Sequence, residues 1–226
     1  MHTQPVFITF EGIEGCGKTT QARLLVETLR QQGIPVLLTR EPGGTRIGDQ
    51  IRKILLHPEN TDMTPMAELL LYEASRAQHV QQVILPNLRN GIHVLCDRYG
   101  DASVAYQGFG RNLTPQVVKE ANRLATGGLH PDLTLLIDVE PEQGLSRARA
   151  RNLAFDFAVE EGRFEEEDLI FHRKVREGYL QLAEETPDRF CLIDGNRTID
   201  EVSQSIQTIV IPFLQEQQVS QNPCPA

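Results

Sequence analysis

VFITFEGIEGCGKTT, residues 6–20, decides how the rest of the chain is read. Val6 to Phe10 is a short apolar run rich in β-formers and predicts a buried strand. Gly12 to Thr19 fits G-x-x-x-x-G-K-[ST]. A helix follows from Lys18 to Gln32, with apolar Ala22, Leu24, Leu25, Val26 and Leu29, and Gly33 closes it. Strand, glycine-rich loop and helix thus stand in the order that phosphate binding requires. Gly12, Gly15 and Gly17 let backbone N–H groups converge on phosphate oxygens, and the helix adds the positive end of its dipole. Lys18 is placed to reach the outer phosphates and Thr19 to offer a hydroxyl to Mg²⁺. Ile13, Glu14, Gly15 and Cys16 fill the variable positions, and Thr20 follows the motif. Glu14 is the anomaly: it sets a carboxylate where anions must sit.

Outward from the loop, strand and helix alternate. Strands are expected at Val36–Thr39, Val94–Asp97, Leu133–Asp138 and Phe190–Asp194. Helices are expected at Ile47–Leu56, at Ala67–Asn90 with a kink at Pro86, from Pro115 to about Thr126 behind a Thr114 N-cap, at Pro141–Arg151, and at Ile199–Glu216. This order predicts a three-layer α/β fold: a five-stranded parallel sheet with helices on both faces and ligands at the carboxyl ends of the strands. Residues 1–216 are read as a single domain and 217–226, rich in Gln and Pro, as a frayed tail.

The 226 residues carry a formal net charge of −9, which argues against a non-specific nucleic-acid binder. Cys16, Cys96, Cys191 and Cys224 form no C-x-x-C pair or metal-ligand spacing and read as reduced thiols of a cytoplasmic protein. No signal peptide is recognised, and no apolar run is long enough for a bilayer.

Two further constellations carry chemistry. Asp97-Arg98 ends a strand, on the ligand-bearing edge, where a guanidinium can grip a phosphate with two parallel hydrogen bonds. A structural Asp–Arg pair is the plainer reading of the same residues. Tyr72 and Arg76 stand four apart on a helix and share a face. An aromatic ring and a planar donor so placed can hold a pyrimidine; in isolation the pair would read as a core aromatic and an exposed arginine.

The stretches FEGIEGCGKTT (10–20), TREPGGT (39–45), LLLYEASRAQH (69–79), LCDRYGDASVAYQGFGR (95–111), LLIDVEP (135–141) and RFEEEDLIFHRKVREGYLQLA (163–183) together resemble thymidylate kinase, of the bacterial type that keeps its LID arginines outside the phosphate loop. The resemblance implies the nucleoside monophosphate kinase fold, the reaction ATP + dTMP → ADP + dTDP in dTTP biosynthesis, Mg²⁺, and a homodimer. It implies that Gly12 to Thr20 bind ATP, that Lys18 and Arg98 are catalytic, and that Arg98 meets the acceptor phosphate, with Arg40 and Arg52 close by. Tyr72 would stack on thymine, Arg76 would bond its O4, and Ser103 and Gln107 would meet the base edge. Tyr106 would lie against the deoxyribose. Glu14 would bind the 3′-hydroxyl of dTMP and lie near the metal. Asp97 and Glu41 complete the acceptor set. Ala102 departs from the family, where serine is usual.

Phosphoryl transfer needs alignment and cations more than covalent help. With no arginine in the loop, the extra charge is expected from a LID at about residues 147–163. Arg149 and Arg151 are the favoured catalytic clamps on the ATP phosphates, with Arg163 as a third. On a helix Arg147 and Arg151 would share a face and Arg149 would point away. The segment from Asn152 to Gly162 is long for the family and apolar, with Phe155, Phe157 and Val159. Asp138 is read as structural. Two rivals stand beside the kinase reading: a P-loop switch, for which no N-K-x-D motif is present, and a kinase for another acceptor.

Overall fold

A computed structural model describes residues 4–155 and 162–219. Five apolar runs become five strands: β1 (Phe7–Glu11), β2 (Val36–Arg40), β3 (His93–Asp97), β4 (Leu133–Asp138) and β5 (Phe190–Asp194). They form one sheet in the order β2-β3-β1-β4-β5, with every pairing parallel. The side chains of β1 alternate between two cores. Ile8 and Phe10 pack on one face of the sheet, and Phe7 packs on the other with Val80, Ile84, Val94 and Tyr99. Burial on both faces is what parallel strands need.

The phosphate loop leads into α1 (Lys18–Gln31). Next come α2 (Arg46–Leu56), capped by the Thr45 hydroxyl, and α3 (Pro65–His79), capped by Thr64. The expected long helix is real, but it continues from α3 through a π-helical turn, Val80–Ile84, into α4 (Leu85–Arg89). The irregularity is therefore a widened turn ahead of Pro86, where the Leu85 N–H reaches back to the Val80 carbonyl. α5 (Gly100–Ser103) also runs on as a π-helical turn, Val104–Gly110. Beyond it lie α6 (Pro115–Thr126), α7 (Pro141–Phe155), α8 (Leu169–Glu185) and α9 (Ile199–Val219). Thr114 precedes α6 as expected, yet its side chain makes no capping bond. The last helix runs past its expected end at Glu216, and residues 220–226 of the expected tail lie outside the described residues.

Helices over 100–110 and 169–185 are not among those expected from the sequence. In the first, Gly108 and Gly110 argue against helix. Packing reverses that: a Cβ on Gly110 would stand 2.6 Å from the Phe171 ring, and one on Gly178 would stand 2.7 Å from Phe109. The glycines let the π turn and α8 approach closely. Among the described residues no helix is long and apolar enough to cross a membrane.

Candidate active site

The register brings Glu11, Arg40, Asp97, Asp138 and Asp194 to the carboxyl edge of the sheet, so this edge is acidic until cations are brought to it. Gly12 turns the chain out of β1 with φ 136°, and a Cβ there would meet the Ile137 carbonyl at 2.4 Å. Ile13 and Cys16 turn their side chains into the core, which leaves the loop's backbone as its outer surface. Lys18 Nζ donates to the carbonyls of Gly12 (3.0 Å) and Ile13 (2.8 Å) and lies 3.4 Å from Cys16 Sγ. The Thr19 hydroxyl donates to Asp97, and Thr20 is exposed.

Arg98 follows β3 with φ 72°, a left-handed conformation unusual for an L side chain. The turn aims its guanidinium across the loop. Nη1 donates to the Gly12 carbonyl and the Tyr179 hydroxyl, both at 3.1 Å; Nη2 donates to Glu14 Oε1 and the Tyr106 hydroxyl, both at 2.9 Å. Tyr106 in turn donates to the same Glu14 oxygen at 2.6 Å. The Glu14 carboxylate thus has a cation of its own: it turns into a pocket formed by Arg98, Tyr106 and His172. Burial favours the neutral acid, but Arg98, His172 and Lys18 outweigh it and hold the Glu14 carboxyl well below the usual range.

The wall beside Glu14 and Arg98 is aromatic. Tyr106 meets Phe164, Phe171 and Tyr179 edge-on at ring separations of 5.4, 6.1 and 6.2 Å. Tyr106 and Gln107 ride on the π-helical turn, and Gln107 donates to Glu68 at 2.8 Å. Tyr72 is partly buried, and burial beside Glu68 raises its phenol pKa. Arg76 is only 1% exposed and engaged through all three nitrogens: Nε donates to Glu41 at 2.8 Å, Nη1 lies within bonding distance of Glu73, Ser103 and Asn122, and Nη2 donates to the Tyr99 carbonyl. Glu41 also accepts from His79 and stands behind Arg76 as its support. Arg40 is exposed at the end of β2, in register with Asp97, and Arg52 donates to the Pro42 carbonyl.

On α7 the arginines sort differently from the helical-face expectation. Arg147 donates to the Gly195 carbonyl, whereas Arg149 and Arg151 both reach Glu165, at its carbonyl and its carboxylate respectively. Long flexible stems let Arg149 join Arg151 although their Cα positions face apart. Arg163 is buried against α2 and α3. It donates to the Leu55 carbonyl, lies 2.7 Å from Glu68 and stacks over Phe164. None of these contacts is with residues 12–20. Phe157 and Val159 lie outside the described residues, and nothing is described of the Phe155 side chain. Asp138 is held by two bonds from Arg176, at 2.7 and 2.9 Å, as its structural reading implies.

Sequence reasoning missed Glu11, Glu68, His172 and Tyr179. The spacing of Phe171, Val175, Tyr179 and Leu182 was an available signal for the buried face of α8. Glu11 is fully buried, accepting from the Tyr99 N–H and the Tyr179 hydroxyl, both at 2.7 Å. Burial and the nearby Asp101 push its pKa up from 4.5 to about 8, against the opposing pull of Arg98. The native state therefore holds a proton that the unfolded chain releases, and stability falls as pH rises from 4.5 toward 8. Between pH 6 and 9 this group should cost the native state about 2–3 kcal/mol. Glu11→Gln should flatten that part of the profile, as measured by denaturant unfolding across the range; an unchanged slope would count against a protonated Glu11.

The G-x-x-x-x-G-K-T loop between β1 and α1, with Arg98 at the tip of the neighbouring strand and a parallel sheet flanked by helices, defines a P-loop kinase. The thymidylate kinase family model matches residues 10–206, and the chain belongs to that family. The chain is 56% identical over 205 residues to the thymidylate kinase of Geotalea daltonii, covering 91% of this chain and 96% of that one. It is 60% identical over 190 residues to that of Citrifermentans bemidjiense, 84% of each chain. The crystal structure of thymidylate kinase from Ehrlichia chaffeensis superposes with a TM-score of 0.72 at 31% identity, covering 92% of this chain and 98% of that one.

Proposed function

We propose that this chain transfers the γ-phosphoryl group of ATP to dTMP, giving dTDP and ADP for dTTP biosynthesis in the cytoplasm. One observation carries the reading: a single guanidinium, Arg98, touches both the Gly12 carbonyl of the phosphate loop and the Glu14–Tyr106 pocket. An acceptor phosphate held there faces the end of a triphosphate wrapped by residues 12–20.

An acceptor oxygen attacks the γ-phosphorus as the bond to the β–γ bridging oxygen breaks, and no covalent enzyme intermediate is needed. Backbone N–H groups of the loop and Lys18 hold the donor phosphates once Lys18 leaves its carbonyl partners. Arg98 neutralises the acceptor phosphate. Arg149 and Arg151 supply charge to the donor once they release Glu165, and Arg163 could join them only by leaving Glu68. The region after Asp194, where Arg147 donates to the Gly195 carbonyl, is the one assigned here to the adenine. Mg²⁺, when bound, would supply positive charge against the charge that develops on the phosphates. The Thr19 hydroxyl and the adjacent Asp97 carboxylate are the hard oxygen donors such an ion takes.

On the acceptor side Glu14 meets the 3′-hydroxyl, Tyr106 the deoxyribose, Tyr72 the base face, and Ser103, Gln107 and Arg76 the base edge. Arg40 and Arg52 flank the monophosphate, while Glu41 steadies Arg76. A homodimer accords with the family resemblance, and Ile54 on α2 with Met66 and Leu70 on α3 offer exposed apolar side chains for it.

ADP release measured across dTMP, dUMP, dCMP, dGMP and thymidine tests the assignment. Turnover should be greatest with dTMP, the other nucleotides trailing by about tenfold or more. ATP binding without acceptor-dependent ADP release would favour a switch protein, and a stronger response to another acceptor would redirect the substrate.

A further inference from the structure

His172 has no place in the roles given so far. It lies on α8, fully buried, between the segment that follows the LID and the phosphate loop. Its Nε2 is 3.0 Å from the Phe164 carbonyl. A carbonyl can only accept, so Nε2 carries a hydrogen. Its other nitrogen, Nδ1, is 3.3 Å from Glu14 Oε2. Both of these atoms are buried, and neither has an aligned hydrogen-bond partner among the described residues. Glu14 Oε1 is already taken by Arg98 and Tyr106. Two orphaned polar atoms therefore face each other, and one shared proton satisfies both.

We propose that His172 is a positioning residue for phosphoryl transfer: Nε2–H anchors the ring on the Phe164 backbone, and Nδ1 holds Oε2 of Glu14 so that the carboxylate presents a fixed edge to the acceptor sugar. The inference rests on the reading of Glu14 as the partner of the 3′-hydroxyl. Arg98 and Tyr106 fix one carboxylate oxygen; without a hold on the other, the group can turn about that point. The same ring joins the phosphate loop to the Phe164 segment, so the acceptor acid is set only when that segment is in place.

The two arms of the imidazole can be removed separately. Asn at 172 carries a donor near the Nδ1 position, and Gln carries one near Nε2. With dTMP, His172→Gln should raise KM about tenfold or more with a smaller change in kcat, while His172→Asn should remain within about threefold of the parent. With 3′-deoxy-dTMP the parent and His172→Gln should behave alike. Equal losses in both variants, or a Gln penalty identical for the two acceptors, would reduce His172 to packing and overturn the proposal.

Should either variant fold poorly, ¹⁵N NMR of the histidine-labelled parent decides the link directly. The Nδ1 resonance should report a shared proton and shift in Glu14→Gln. A bare Nδ1 that ignores Glu14→Gln would overturn the proposal. A parent enzyme indifferent to the 3′-hydroxyl would instead sink the reading of Glu14, and with it the acceptor arm, while the NMR experiment still tests the Glu14–His172 contact.

Discussion

Arg98→Ala should lower kcat with dTMP by about 10³-fold or more while ATP-analogue affinity, measured by calorimetry, stays within a fewfold. The size follows from where the charge sits. Arg98 is the only arginine among the described residues seen to donate both to the phosphate loop and to the acceptor-side pocket. Truncation removes a cation facing the reacting oxygens and also strips Glu14 of its main lowering influence. The donor cradle is built from backbone and Lys18, so ATP should still bind. Arg98→Lys keeps a charge but loses the planar fork, and it should restore only part of the rate. An unchanged kcat in Arg98→Ala would remove this residue from the chemistry and leave the proposed alignment without its central cation.

The second large effect is on folding. Arg76→Leu should destabilise the chain by about 3–5 kcal/mol, because it strands buried carboxylates rather than deleting an isolated contact. Glu41 is left with His79, and Glu73, whose pKa is already raised by burial, loses its cation. For a chain of this size that corresponds to a fall of about 10 °C in Tm. The pH dependence has a definite sign. Without Arg76, Glu73, already raised by burial, holds its proton more tightly in the native state than in the unfolded one, so its share of stability is present at low pH and lost as pH rises. Calorimetry should therefore show a smaller deficit at pH 5.5 than at pH 8. A Tm within about 2 °C of the parent, with dTMP turnover lost, would mean that Arg76 serves the base and not the frame.

These residues also show what can be read before folding. The strand ends were legible because apolar runs stop at charged residues: β4 and β5 fall at their expected bounds. β1 differs by a residue because Glu11, a carboxylate, belongs to the buried strand and not to the loop. Polarity argues against that placement, and only the Tyr99 N–H, the Tyr179 hydroxyl and a raised pKa make it tolerable. The phosphate loop was legible since its function resides in backbone shape, which glycine spacing encodes locally. Glu14 was recognisable as an oddity, but its partners were not. Tyr106, His172 and Tyr179 approach it or Arg98 through the close packing of the π turn on α8, a contact set by Gly110 and Gly178. Side-chain reach was the remaining gap, since helix geometry alone separates Arg149 from Arg151 while Glu165 gathers both.

The contact between Gly15 and Gly144 has a mechanical consequence. A Cβ on Gly15 would lie 1.9 Å from the Gly144 carbonyl, and one on Gly144 would lie 2.5 Å from the carbonyl of Glu14. Main chain rests on main chain there, with no side-chain cushion to compress. The opening turns of α7 therefore rest directly on the loop, and the rod cannot tilt toward it without displacing main chain. Inward travel of its arginines must arise downstream of that contact, by straightening their stems or by bending the later turns.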